Sequence, residues 1–471
     1  MKRAFFLFLL CIMANCAFAE CIVRSSVRIE VSALHEETAP PNRRTFEIEQ
    51  VFTFMGQSQE QDNVLLWLPK PGLASVLLSE PDNDSDTDFR VWVNDIEHFS
   101  YDFNGQKLSI STYADSIYKI VLRYVFFDDS FMKHYYRTDG VPYYSNTVLN
   151  SQTSSFFFTT DGMCLDDIFV KTNSNDLYFY STCPFTKTSE QEYHLNLSPY
   201  QADGVVMLCF LEKKLYDSFS TDTDKTHFDL FVQKFYTINQ DTHTIIQTQT
   251  NPAVAECRRV VQYALNGLED FFHDTIQRTL YINIGAYIWQ EGYTYGQAYS
   301  YNKQIYSVLS DSTDIRHDTR VLMHELTHCY MPYHNATGDS VAYLLFEESL
   351  VEYITEVLLY RNNSHALDSA LITHYNYLSE EEQNTSIITQ RRNNADIAGI
   401  NTSFVTYFKT PYILHRFAKR IGKEYFVELL KGYYRYVRTE KDNITSLSDF
   451  EQYLKFHGVS DKDWEWLYNA L

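Results

Sequence analysis

Positive charge is scarce in this chain. Thirty-nine Lys and Arg stand against 61 Asp and Glu, a formal net charge of −22 over 471 residues. Nucleic acid and anionic lipid are bound through basic patches, so this balance argues against both as partners. It suits a soluble chain whose copies repel one another. Long apolar runs are equally scarce. Beyond the first 19 residues no stretch approaches the roughly twenty apolar residues of a membrane-spanning helix. Internal repeats and low-complexity tracts are absent as well. What is abundant is core material: 45% of residues are hydrophobic and 16% aromatic, enough to exclude extensive disorder.

The extreme N-terminus, MKRAFFLFLLCIMANCAFA, pairs Lys2 and Arg3 with a short apolar run and ends on Ala17-Phe18-Ala19. A positive start, an apolar middle and a small-x-small end make residues 1–19 a secretory signal peptide. Losing Lys2 and Arg3 takes the formal charge from −22 to −24. The expected location is secreted or periplasmic. The residues before Cys16 and Cys21 do not form a lipobox, so a lipid anchor is not expected. Six of the eight cysteines survive processing. An even number in an exported chain permits disulfides, with Cys164 and Cys183 the favoured pair among fifteen possible pairings.

A chain this long needs more than one core. Residues 20–245 read as short β-rich runs such as VRIEVSAL, RTFEIEQVFTFMG and YKIVLRYVFF, separated by turn formers. They predict an N-terminal all-β domain of antiparallel sandwich or saddle-like sheets. Helical periodicity begins after Asn251-Pro252, with Val254, Val261, Leu265, Leu268 and Phe272 on one stripe. Residues 250–471 read as a second, α+β domain that becomes mostly helical towards the C-terminus.

The chemistry concentrates in His324-Glu325-Leu326-Thr327-His328. Histidines four apart lie about 40° from one another around a helix, so both can grip one Zn²⁺. Glu325 between them can then serve as a base at the open coordination position. Leu322, Leu326 and Cys329 fall on the other side, as packing against a core requires. The bland reading is a surface helix with two solvated histidines.

A catalytic zinc needs a third protein ligand. The segment LLFEESLVEYITEVLLY, residues 344–360, predicts a helix with Phe346, Leu350 and Val357 behind and Glu348 and Glu352 in front. Nineteen residues separate His328 from Glu348, and eighteen separate it from Glu347. Glu347 lies about 100° round the helix and has no carboxylate one turn later. Glu348 does, and ligating histidines need an outer carboxylate. Glu348 is the favoured ligand, Glu347 its competitor, and Glu352 the group that orients a histidine.

HELTH followed by FEESLVEYITE resembles the gluzincin metallopeptidases, the clan of thermolysin and the aminopeptidase N family. The E-G-x-x-E-Y of aminopeptidase N is matched by Glu348-Ser349-Leu350-Val351-Glu352-Tyr353, with Ser349 in the glycine's place. That family spaces its ligands one residue closer, which favours Glu347. Val405-Thr406-Tyr407-Phe408-Lys409 resembles the segment Y-E-K-G, whose tyrosine steadies the oxyanion; Thr410-Pro411 replaces its glycine. Tyr295-Gly296-Gln297-Ala298-Tyr299 reads as an edge strand to which a peptide could add, with Gly296, Gln297 and Ala298 contacting substrate. Gly296 matches the family's G-x-M-E-N, but Tyr299 replaces the glutamate that holds a free amine.

The resemblance spans roughly residues 250–455. It implies a thermolysin-like catalytic domain, one Zn²⁺ per chain, and peptide or protein substrates. Glu325 would be the general base and Tyr407 the oxyanion donor. A reading of another class remains: a non-catalytic binding or surface-interaction protein that keeps a zinc for stability. Structural zincs, however, prefer four ligands rich in cysteine and have no use for a base.

Overall fold

The computed structural model describes residues 21–31, 45–55, 63–67, 90–97, 101–103, 107–111, 117–127, 147–150, 166–181, 184–197, 207–238, 245–250, 254–273, 278–286, 298–301, 304–309, 315–331, 343–388, 402–441 and 445–471. The signal peptide and the Cys164–Cys183 pair lie outside them. The chain divides into two compact units, residues 1–216 with 234–249, and residues 217–233 with 250–471. The boundary expected near 245 thus differs for 217–233. A β-rich composition marks a segment as strand but does not say which sheet it joins.

In the first unit an eight-stranded sheet is built around Cys21–Val31, Thr45–Met55 and Ile117–Phe127. Their period-two pattern puts Val27, Ile29, Phe46, Ile48, Phe52, Ile120 and Leu122 into the core. The other face carries charge: Arg123 pairs with Glu49 at 2.7 Å across the register that aligns them. Smaller sheets contribute Leu108, Ile110, Leu208 and Phe210 to the same core, so this is sheet packed on sheet. One pairing departs from the antiparallel expectation. Cys21–Val31 runs parallel to Asp167–Thr172, a partner more than a hundred residues away that alternation cannot reveal.

The second unit opens with a five-stranded sheet in the order Tyr216–Asp222, Thr226–Gln233, Arg278–Ala286, Gln304–Leu309, Ala298–Tyr301. Thr226–Gln233 and Arg278–Ala286 are parallel, which demands a crossover, and helix α1 (Val254–Phe272) lies between them in sequence. Its stripe of Val254, Val261, Leu265, Leu268 and Phe272 is buried, as the periodicity requires. Among the described residues Ala298–Tyr301 pairs only with Gln304–Leu309 and stands last in the sheet.

Helices complete the unit: α2 (Ile315–Tyr330), α3 (Leu350–Leu359), α4 (Ser364–Asn376), α5 (Glu380–Asn384), α6 (Thr410–Ile421), α7 (Lys423–Glu440), α8 (Leu447–Phe456) and α9 (Asp461–Ala470). Side chains cap several of their first turns. Asn363 accepts from Ala366 N–H, Ser379 and Glu382 form a reciprocal capping box, and Ser446 and Ser460 accept from Asp449 and Asp463 N–H. Gly422, at φ +107°, lets the chain turn from α6 into α7, a conformation costly for any other residue. Leu322, Leu326, Phe346, Leu350, Leu414, Phe417, Leu430 and Tyr433 form one core with the sheet. Tyr330 anchors α2 on that sheet through a buried 2.7 Å hydrogen bond with Thr226 Oγ1. No helix among the described residues is long and apolar enough to cross a membrane.

Candidate metal centre

Helices α2 and α3 meet along two charged stripes. On α2, Arg320, His324 and His328 recur every four residues; facing them are Glu348, Glu352 and Glu356. Arg320 binds Glu352 and Glu356, His324 binds Glu352 and Glu348, and His328 approaches Glu348. Partner numbers fall as α2 advances, so the helices are antiparallel and the stripes form a ladder. Between the rungs, Thr327 Oγ1 lies 3.3 Å from Thr355 Oγ1. The face opposite the ladder is apolar, with Leu322 and Leu326 buried.

At one end of the ladder His324 Nε2, His328 Nε2 and Glu348 Oε2 stand 3.1, 3.4 and 3.8 Å apart. Ligands held about 2.0–2.1 Å from one tetrahedral ion stand roughly 3.3–3.4 Å from one another. Two imidazoles and one carboxylate are also the donor set of a catalytic zinc site with an open vertex. Among the described residues this is the group of His, Cys, Asp and Glu able to hold a metal. His324 Nδ1 lies 2.8 Å from Glu352 Oε2. A carboxylate only accepts, so the proton sits on Nδ1 and Nε2 is left to face the metal position.

The backbone is irregular where Glu348 sits. Tyr343–Ser349 winds as a π-helical turn rather than the regular helix expected from residue 344. A π turn holds more residues than an α turn, and Glu348 lies within this one. The side chain of Glu347 lies outside the described residues.

The electrostatics call for a cation. Burial alone would depress His324, but hydrogen bonds with Glu348 and Glu352 and the charges of Glu352 and Glu325 push it up to about 10. Glu348 stays below its ordinary value despite burial, because the two histidines oppose the rise. A metal ion bound there would therefore have to displace a proton from His324 at neutral pH. The proton competes below about 10, so apparent zinc affinity is expected to rise about tenfold per pH unit between pH 7 and 9, with one proton released per ion. Calorimetry in two buffers of different protonation enthalpy counts that proton; affinity independent of pH would contradict the shift.

Behind the ligands Arg320 is nearly enclosed. It is paired with Glu352, 2.8 Å from Glu356, and 5.9 Å from the ring centre of Phe408. Burial would raise Glu352, but Arg320 and His324 hold it down. Glu356, buried beside that charge, is pushed up to about 7. His374, stacked on Phe408, lies 3.8 Å from Glu356. Arg320, Glu356 and His374 did not stand out in the sequence. Extending the four-residue repeat by one turn from His324 and from Glu352 would have found the first two.

Tyr407 reaches the centre from a second π-helical turn, Val405–Lys409, which runs directly into α6. Its hydroxyl donates to Glu348 Oε2 at 2.7 Å, and its ring centre is 5.7 Å from that of His324. Burial and the charges of Glu348 and Glu325 hold the phenol well above its usual range, so it is a donor and not a base. Glu325 is buried on α2 beside the ligands, and its charge acts on both His324 and Tyr407. Of the substrate-contacting residues, Gly296 and Gln297 lie outside the described residues. Ala298 begins the edge strand, opposite Ser307. That strand packs beside α2.

No protein-family model matches the sequence, and no curated protein matches it either. Solved structures do. An aminopeptidase N family protein from Idiomarina loihiensis superposes with a TM-score of 0.61 at 10% identity, covering 95% of this chain and 76% of that one. An M1 zinc metallopeptidase from Deinococcus radiodurans gives 0.49 at 12% identity over 95% and 92% of the two chains. Yeast LTA4 hydrolase gives 0.48 at 12% over 96% and 67%. The chain has the fold of the aminopeptidase N proteins, and it carries a His-His-Glu group of gluzincin type in its helical unit.

Proposed function

We propose that this chain is a zinc metallopeptidase that hydrolyses peptide bonds. One observation carries the proposal: two imidazole nitrogens and a carboxylate oxygen converge at tetrahedral spacing, with a buried glutamate on the same helix. A purely structural zinc would not require Glu325.

His324, His328 and Glu348 hold one zinc, and Glu352 orients His324. When bound, zinc supplies Lewis acidity, polarising a carbonyl and making water acidic enough to ionise near neutral pH. Glu325 takes the proton of the attacking water and returns it to the leaving nitrogen. Tyr407, firmly protonated, turns its hydroxyl to the oxyanion that develops on the substrate carbonyl. The outer edge that Ala298–Tyr301 forms among the described residues receives the peptide as an added strand, and Gly296 and Gln297, just before it in sequence, contact the substrate. Tyr299 in place of an amine-binding glutamate leaves endo- and exo-cleavage both open. The basic, apolar, small-x-small leader assigns the enzyme to an exported location.

A mixed peptide library tests this. Zinc-loaded protein is expected to cleave it, to lose activity on chelation and to recover it with added zinc. Mass spectra of the products report whether cleavage starts at free amino termini. A fully zinc-loaded chain that cleaves nothing in the library would overturn the proposal.

A further inference from the structure

The turns that carry Glu348 and Tyr407 are joined by one more contact. Ser349 is fully buried, and its hydroxyl donates to the backbone carbonyl of Thr406 at 2.8 Å. Each residue is the immediate neighbour of a group in the centre, Ser349 of Glu348 and Thr406 of Tyr407. Both lie within π-helical turns.

The local backbone explains why a side chain is used. In the Val405–Lys409 turn, the Thr410 N–H donates to Val405 O, five residues back. In the same register the next donor would be residue 411, which is proline and has no N–H. The helix cannot close that bond itself, and the Thr406 carbonyl receives a hydroxyl from the neighbouring turn. Ser349 and Thr410-Pro411 are also the positions at which the two motifs depart from the family pattern.

We infer that Ser349 is a positioning residue that clamps the turn bearing Tyr407 onto the turn bearing Glu348, in place of a helix bond that Pro411 cannot provide. It is not among the three converging groups. It sets where the Tyr407 hydroxyl sits relative to Glu348 Oε2, the atom to which Tyr407 donates.

The test is a double-mutant cycle of S349A, Y407F and the double variant. Its kinetic arm rests on the peptidase proposal; its spectroscopic arm does not. In the kinetic arm S349A is expected to lower kcat ten- to a hundredfold, the size of a misplacement near 1 Å, with KM and zinc stoichiometry unchanged. The double variant is expected to be no slower than Y407F alone, because Ser349 acts through that tyrosine. Losses that multiply, or an S349A kcat equal to wild type, would overturn the inference. In the second arm each protein is loaded with Co²⁺. S349A and Y407F are expected to shift the visible bands in the same direction, and the double variant to match Y407F. Unmoved bands in S349A would also overturn it. S349G removes the same hydroxyl and serves if the alanine variant folds poorly. A wild-type chain that cleaves no peptide defeats the peptidase proposal and leaves the cobalt comparison to decide this one.

Discussion

Replacing Glu325 by Gln is expected to lower kcat by roughly 10³-fold, about 4 kcal/mol of barrier, while zinc stays bound. Gln keeps the size and much of the hydrogen bonding of the side chain but cannot accept a proton from water. Glu325 is not among the three converging atoms, so its loss does not remove a ligand. Its charge is the last of the causes that raise His324, so competition from that proton changes little and zinc affinity should shift only slightly. Turnover on the best library peptide, together with elemental zinc analysis, gives both numbers. Near-wild-type turnover with a full complement of zinc would show that some other group moves the proton.

Substitutions along the ladder are expected to separate ligands from their supports. Losing the Glu348 carboxylate in E348A removes a direct donor, and zinc affinity should fall by well over a hundredfold. E352Q keeps an acceptor for His324 but loses charge, an outer-shell change of roughly 10–100-fold. Alanine at 352 would be less informative. It strands the enclosed guanidinium of Arg320, and a broken buried ion pair costs about 3–5 kcal/mol of stability. E356Q is expected to change affinity least, since Glu356 reaches the centre only at one remove, through Arg320 and Glu352. Competition against a chromophoric chelator orders the three. An E348A protein that binds zinc as tightly as wild type would remove Glu348 from the ligand set.

Much of the helical unit was legible because it obeys regular periods. The α1 stripe falls on one side at 3.6 residues per turn, and all five of its expected positions are buried. His324, His328 and the apolar back of α2 follow the same rule. The period failed where the backbone abandons it. Residues 344–349 read as the start of a helix, yet they wind as a π turn that carries Glu348. Nothing in the side-chain pattern marks a wider turn. Arg320 and Glu356 did not stand out, since a single helix does not disclose the opposing stripe that buries them. In the first unit the alternation of Val27, Ile29 and Val31 was plain. The parallel partner of that strand was not, because pairing over long separations depends on the whole sheet.

The most direct measurement is an anomalous-difference map collected at the zinc absorption edge from crystals of the zinc-loaded protein. One peak is expected, about 2.0–2.2 Å from a nitrogen of His324, a nitrogen of His328 and an oxygen of Glu348. No peak there, or zinc held elsewhere with these three side chains turned away, would contradict the assignment of this centre.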